Sequence, residues 1–324
     1  LTTELQSLSG DQHLMVVFNP QRIAEIKGST TPAHARIEEE RRRNFGFRKL
    51  ERLKGNIGYL DLRRFAQPEA AGETAAAAMR FLAESDAIII DLRHNGGGNP
   101  SMVQLLCSYF FESDKPIHLN SIYSRPTDTT WQYWTLPFVR GGRLPDIGLY
   151  ILTSGNTFSG AEEFAYNMAA LERGIIIGEK TAGGANPMGV EIIDNEFYIT
   201  IPHGTPTNPI TGSNWEAKGV QPHLKVDQQR ALETAHLKAL ETLIARHPDS
   251  KEYPWLLDEV RSAYQPVTLI AEKLKKYPGK YGEHQILDKD GELYFQHRFL
   301  QFWMRLLSEN IFWLDGPEML QPYR

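Results

Sequence analysis

A single cysteine, Cys107, serves the whole 324-residue chain, which excludes an internal disulfide and any thiolate metal cluster. It lies in the apolar run Val103-Gln104-Leu105-Leu106-Cys107 and reads as a core residue. No apolar stretch approaches the roughly 20 residues of a membrane-spanning helix. No Lys/Arg block stands clear of acidic residues either. The densest, Arg41-Arg42-Arg43, follows Glu38-Glu39-Glu40 and reads as a solvated helix face. With a formal net charge of −5, a nucleic-acid partner is not expected. His-x-x-x-His and other metal-ligand spacings are missing, so the reading carries neither a metal nor a cofactor.

What is present is a globular composition, 41% hydrophobic and 23% charged, in a chain long enough for more than one lobe. It opens without Met in a helical stretch (Leu1, Leu5, Leu8), so an upstream segment is expected to have been removed, and a signal peptide with it. Strand patterns at 14–18, 56–62, 87–92, 147–152 and 174–178 alternate with helical ones at 35–43, 69–84, 100–111 and from Ala161 onward. Residues 19–33 read as a loop, and 115–147 as weak strands among turns. Such alternation predicts an α/β fold with a largely parallel sheet and crossover helices. A hairpin is expected at 190–201 and an amphipathic helix at 230–245. Near His247-Pro248-Asp249-Ser250 the composition shifts. Beyond it, two short helices (252–264 and 266–276) precede a small antiparallel β module over 277–324, with a hairpin turn at Asp290-Gly291. The domains expected are thus 1–247, a helical linker over 248–276, and 277–324.

The chain is organised around Thr153-Ser154-Gly155-Asn156-Thr157-Phe158-Ser159-Gly160-Ala161-Glu162, between an apolar strand and a helix. Ser159 has two readings. It can cap the helix, with Glu162 completing a capping box. It can also be a nucleophile, lifted from the core by the turn and faced by free N–H groups of the helix start. Asp91-Leu92-Arg93-His94-Asn95-Gly96-Gly97-Gly98 ends another buried strand, where ligands gather in open parallel sheets. Its glycines lack the spacing and the Lys-Ser/Thr of a phosphate loop. They suit an oxyanion hole, with Gly97, Gly96 and Gly160 as candidates, or simply a tight turn. A serine nucleophile needs a base and a carboxylate to orient it. His13 and Glu216 are the candidates, and His94, His203 and Lys180 stand in reserve.

Five segments, in order, resemble the carboxyl-terminal-processing (tail-specific) protease superfamily, which includes the tricorn core and the interphotoreceptor retinoid-binding proteins. They are Gly58-Tyr59-Leu60, Ile90 to Gly98, Thr157 to Glu162, Gly178-Glu179-Lys180-Thr181-Ala182-Gly183-Gly184 and Gly219-Val220-Gln221-Pro222. The resemblance covers about residues 1–245 and implies a crotonase-like spiral of ββα units, a Ser159 nucleophile and a periplasmic or secreted location. Many bacterial members use a Ser–Lys dyad, but Gly184 stands where the resemblance would put the lysine, and Lys180 is out of register. The tricorn-like branch resembles a Ser-His-Glu arrangement, whose positions fall on His13 and Glu216, with Gln12 in place of that branch's serine. Only about 40 residues separate the His13 region from Gly58, too few for a PDZ insert. The resemblance implies a serine peptidase acting on peptide or unfolded protein, or, in the manner of the retinoid-binding relatives, a non-enzymatic carrier of apolar ligands. Homo-oligomer formation stays open.

Overall fold

The computed structural model describes residues 1–28, 33–266, 271–308 and 311–315. Two compact units divide the chain, Leu1–Ala239 and Leu240–Arg324. The first begins with α1 (Thr2–Ser9), β1 (Met15–Phe18), α2 (Pro20–Lys27) and α3 (Ala33–Arg42). An antiparallel pair, β2 (Phe47–Leu53) and β3 (Ile57–Leu62), leads to α4 (Pro68–Leu82), β4 (Ala87–Asp91) and α5 (Pro100–Ser108). The hairpin β5 (His118–Ser124) and β6 (Thr129–Trp134) comes before β7 (Gly148–Thr153), α6 (Gly160–Ala170) and β8 (Ile175–Gly178). A second hairpin, β9 (Met188–Ile192) and β10 (Phe197–Pro202), is followed by β11 (Gly204–Thr207), β12 (Leu224–Lys225) and α7 (Ala231–Arg246).

Six strands form the central sheet in the order β12-β8-β7-β4-β3-β2, parallel throughout except at the β2–β3 edge. β3 and β4 are buried along their whole length, as continuous apolar strands between covering layers require. Ile88 and Ile90 share one core with Met79 and Leu82 of α4, Leu106 of α5, and Phe164 and Met168 of α6. Two antiparallel three-stranded sheets, β1-β10-β9 and β11-β5-β6, complete this unit. The first of them matters for the site, because it pairs Met15 with Thr200 and so ties the start of the chain to a segment far along it.

The second unit holds α8 (Glu252–Tyr264), α9 (Ala271–Leu274) and a five-stranded antiparallel meander. Its strands are β13 (Gly279–Tyr281), β14 (His284–Lys289), β15 (Glu292–His297), β16 (Leu300–Ser308) and β17 (Ile311–Asp315). Asp290 and Gly291 both take positive φ (57° and 86°), the two-residue turn that matches strand twist.

The fold is thus mixed α/β with a parallel sheet and a separate C-terminal antiparallel module. Two local differences from the sequence reading have physical reasons. Within 19–33, read as a loop, Pro20 starts α2 rather than breaking it, and the Asn19 side chain accepts the Arg22 N–H (2.9 Å); residues 29–32 lie outside the described residues. β2 escaped notice because its residues are mostly charged, as suits an exposed edge strand. Of the helix read over 266–276, α9 is described, and 267–270 are outside the described residues. No described helix is long and apolar enough to cross a membrane.

Candidate active site

Ser159 ends the turn between β7 and α6 with φ 54° and ψ −121°, a conformation that costs a non-glycine residue of order 1–3 kcal/mol. The surroundings hold it there. The Thr157 hydroxyl donates to the Leu92 carbonyl (2.8 Å), and the Ser154 hydroxyl donates to that of Arg93 (2.5 Å). The Phe158 N–H donates to the Asn95 carbonyl (3.0 Å). The Ser159 turn is therefore fastened to the glycine loop beside it.

Glu162 fastens it on the other side. Its carboxylate is fully buried and accepts four hydrogen bonds, from Ser159 N–H (2.8 Å), Gly184 N–H (2.9 Å), Gly183 N–H (2.7 Å) and the Thr181 hydroxyl (2.5 Å). Burial pushes its pKa up, and those donors pull it back. The capping-box reading found the first of these bonds and missed the others, which come from about 20 residues downstream.

The glycine loop does something different from what its sequence suggested. The Gly97 N–H, a candidate oxyanion donor, is taken by the Asn95 side chain (2.8 Å), whose amide in turn donates to the Leu62 carbonyl (2.9 Å). What the site draws from Gly97 is its missing side chain. At φ 97°, a Cβ there would stand 2.7 Å from Gly160 N and 2.8 Å from the Ser159 Cβ. Gly160 packs tightly on the same loop, though less closely, since a Cβ on it would stand 3.1 Å from Gly98 N. Gly96 is exposed on the cavity wall. Beneath the loop, Asp91 and Arg93 form a buried pair (2.6 Å), and the Tyr59 hydroxyl donates to the same carboxylate (2.7 Å). Burial would raise the Asp91 pKa, but Arg93 and Tyr59 hold it below its usual value.

His13 comes from the turn before β1 and is 4% exposed. Its ring packs on Phe158 with centroids 4.5 Å apart, its backbone N–H donates to Asp11 Oδ1 (2.8 Å), and its backbone carbonyl accepts the Thr200 hydroxyl. Nδ1 is buried and has no hydrogen-bond partner among the described residues. Burial lowers the His13 pKa, opposed by the charges of Glu216 and Asp11. Glu216 accepts three backbone N–H groups, from Gln12 (3.2 Å), Ala185 (2.6 Å) and Asn186 (3.0 Å). It therefore staples the His13 turn to the 184–186 segment. Asp11, which sequence reasoning missed, accepts the Asn186 side-chain amide on its other oxygen (2.8 Å). Nothing in the local sequence marks Asp11; its role depends on a contact 175 residues away.

Donor atoms of Asp11, His13 and Glu216 all lie within 4.8 Å of one another, the grouping a metal ion would use. Both carboxylates also accept N–H donors, which fix their orientation beside the His13 ring.

Ser159 and His13 line the same cavity, about 440 Å³, with Gly96, Gly97, Gly98 and Gly160. The reserve residues fall elsewhere. His94 and Lys180 are exposed, His203 is half-buried beside Gly189, and none of the three lines that cavity. Gly184 explains why no lysine stands at its position. A Cβ there would overlap the Phe158 ring and come within 2.9 Å of His13 Cε1, so the two rings fill the space where such a side chain would begin.

Comparison with known proteins agrees with this architecture. A putative peptidase from Parabacteroides merdae ATCC 43184 superposes with a TM-score of 0.54 at 17% identity, covering 73% of this chain and 80% of that one. A putative S41 protease from Bacteroides fragilis NCTC 9343 gives 0.50 at 22%, over 58% and 52%. The photosystem II D1 C-terminal processing protease gives 0.43 at 20%, over 53% and 43%. This chain spans about half the length of the last two, and the likeness to the first two is one of fold. The model of peptidase family S41 matches residues 56–226, more than half of the chain, from β3 through the Ser159 turn to β12. The chain belongs to peptidase family S41.

Proposed function

We propose that the protein is a serine peptidase in which His13, rather than a lysine, activates Ser159. The observation that carries this reading is the packing at Gly184, where the Phe158 and His13 rings occupy the place of a dyad lysine while His13 and Ser159 share one cavity. The Ser159 hydroxyl attacks the scissile carbonyl and its proton passes to His13. Glu216 and Asp11 supply negative charge beside the imidazolium that forms, and fix the turn that carries it. The tetrahedral oxyanion is held by the N–H groups of Gly160 and Gly98, in place of the occupied Gly97 N–H. Collapse expels the amine, which takes the proton from His13 and leaves an acyl-Ser159. Water then loses a proton to His13, attacks the ester and releases the acid, and the proton returns to Ser159.

The cavity supports a peptidase over a carrier of apolar ligands. His13, Arg63, Arg64 and Glu163 all line it, and four ionisable groups make a costly wall for an apolar guest. Intact-mass measurement after exposure to a fluorophosphonate tests the reading. One adduct per chain, absent in Ser159→Ala, is the expected result; an unlabelled wild-type protein that also cleaves no peptide would contradict it.

A further inference from the structure

Glu163 follows Glu162 on α6, and the 100° helical step turns it away from the 181–184 segment. It lines the Ser159 cavity while remaining 4% exposed. One hydrogen bond reaches it, from the Asn120 side-chain amide (3.2 Å), and no cation among the described residues pairs with it. Asn120 is itself fully buried, and its Oδ1 has no partner. Of the two, Glu163 is the one that lines the cavity, and it presents there a carboxylate that accepts the Asn120 amide. Burial raises the Glu163 carboxyl to about 7, against the pull of Asn120. Other parts of the cavity are apolar, including Ile122, Pro187, Met188, Pro206 and Trp215.

We propose that Glu163 selects substrates that place a lysine or arginine side chain in this cavity, beside the scissile bond. The assignment rests on the peptidase reading above for its use in catalysis, but not for the binding itself. An apolar wall fits the aliphatic stem of such a side chain, and a buried carboxylate on that wall fits its cationic tip. The two arginines on the same wall argue less strongly for an acidic side chain. Arg63 is committed to Asp61 through two bonds (2.5 and 2.7 Å), and Arg64 is 63% exposed with Glu40 at 3.7 Å. Exposed guanidiniums discriminate weakly because water screens them. A buried acceptor left without its donor penalises the wrong ligand much more.

Two measurements test this. The first uses Ser159→Ala protein, so turnover plays no part, and compares agmatine with n-butanol by calorimetry. Agmatine should bind at least about tenfold more tightly, and adding Glu163→Gln should remove that advantage. The second compares kcat/KM for peptides differing only in lysine, norleucine or glutamate at the variable residue. Lysine should lead norleucine by about tenfold or more, and Glu163→Gln should shrink that ratio. Equal binding of agmatine and n-butanol, or a preference for glutamate, would overturn the assignment whether or not the Gln variant folds. Selective agmatine binding by a protein that cleaves nothing would instead overturn the peptidase reading and leave Glu163 as a cation-binding group.

Discussion

The serine corner and the histidine corner of this site are built in opposite ways. Ser159 stands at the end of a central strand, and its restraints come from the neighbouring β4 loop and the first turn of its own helix. His13 sits on a small outlying sheet and is held by residues 186 and 216, remote in sequence. The 181–186 segment touches both, through Glu162 on one side and Glu216 on the other, and the Phe158 ring of the serine turn packs directly on His13. The serine corner is a rigid piece of the core. The histidine corner is an assembly, and its geometry depends on two carboxylates keeping their backbone N–H partners.

Substitutions can break that comparison at either end. The largest effect belongs to Ser159→Ala, expected to lower turnover by about 10⁶, as loss of a nucleophile does. Steady-state hydrolysis of a peptide that the wild type cleaves measures it. Gly97→Val comes next, at about 10²–10³ in acylation rate. Its Cβ would press on Gly160 N and displace the oxyanion donors, so labelling kinetics should slow in a protein that still folds. Unchanged labelling would show that the close approach at Gly97 is dispensable.

Glu216→Gln should act on the other corner and more gently, by about tenfold, as one charge beside the imidazolium is lost. An amide nitrogen would also face N–H groups that now donate to the carboxylate. Because Glu216 raises the His13 pKa, its removal should move the acid limb of the rate profile to lower pH. The smallest effect is in the wild type itself. Burial depresses the His13 pKa, so the neutral, proton-accepting form persists below the reference value of about 6.5. Activity should therefore be full above that pH and fall as pH drops through the lowered pKa. A limb above 6.5 in the pH profile of kcat/KM would contradict this.

The same contrast governs what could be read from the sequence. The β7-turn-α6 unit and the β4 glycine loop are local, and their apolar runs and turn residues announce them. His13 and Glu216 were legible only through resemblance, since each alone looks like a surface residue near a turn. Asp11 and the three downstream donors to Glu162 left no local mark, because side-chain partners far apart in sequence are set by tertiary packing. Gly97 misled for the converse reason. A glycine suggests a free N–H, but here the Asn95 side chain two residues earlier takes it and the missing Cβ is what matters.

The central claim is that His13, not a lysine, activates Ser159. The most direct measurement is the second-order rate of fluorophosphonate labelling at pH 8 for wild type, His13→Ala and Lys180→Ala. Loss of general-base assistance should slow His13→Ala by about 10²–10⁴, while Lys180→Ala, exposed and outside the cavity, should label at the wild-type rate. Slow labelling of Lys180→Ala with His13→Ala unaffected would contradict the account and assign the base to a displaced lysine.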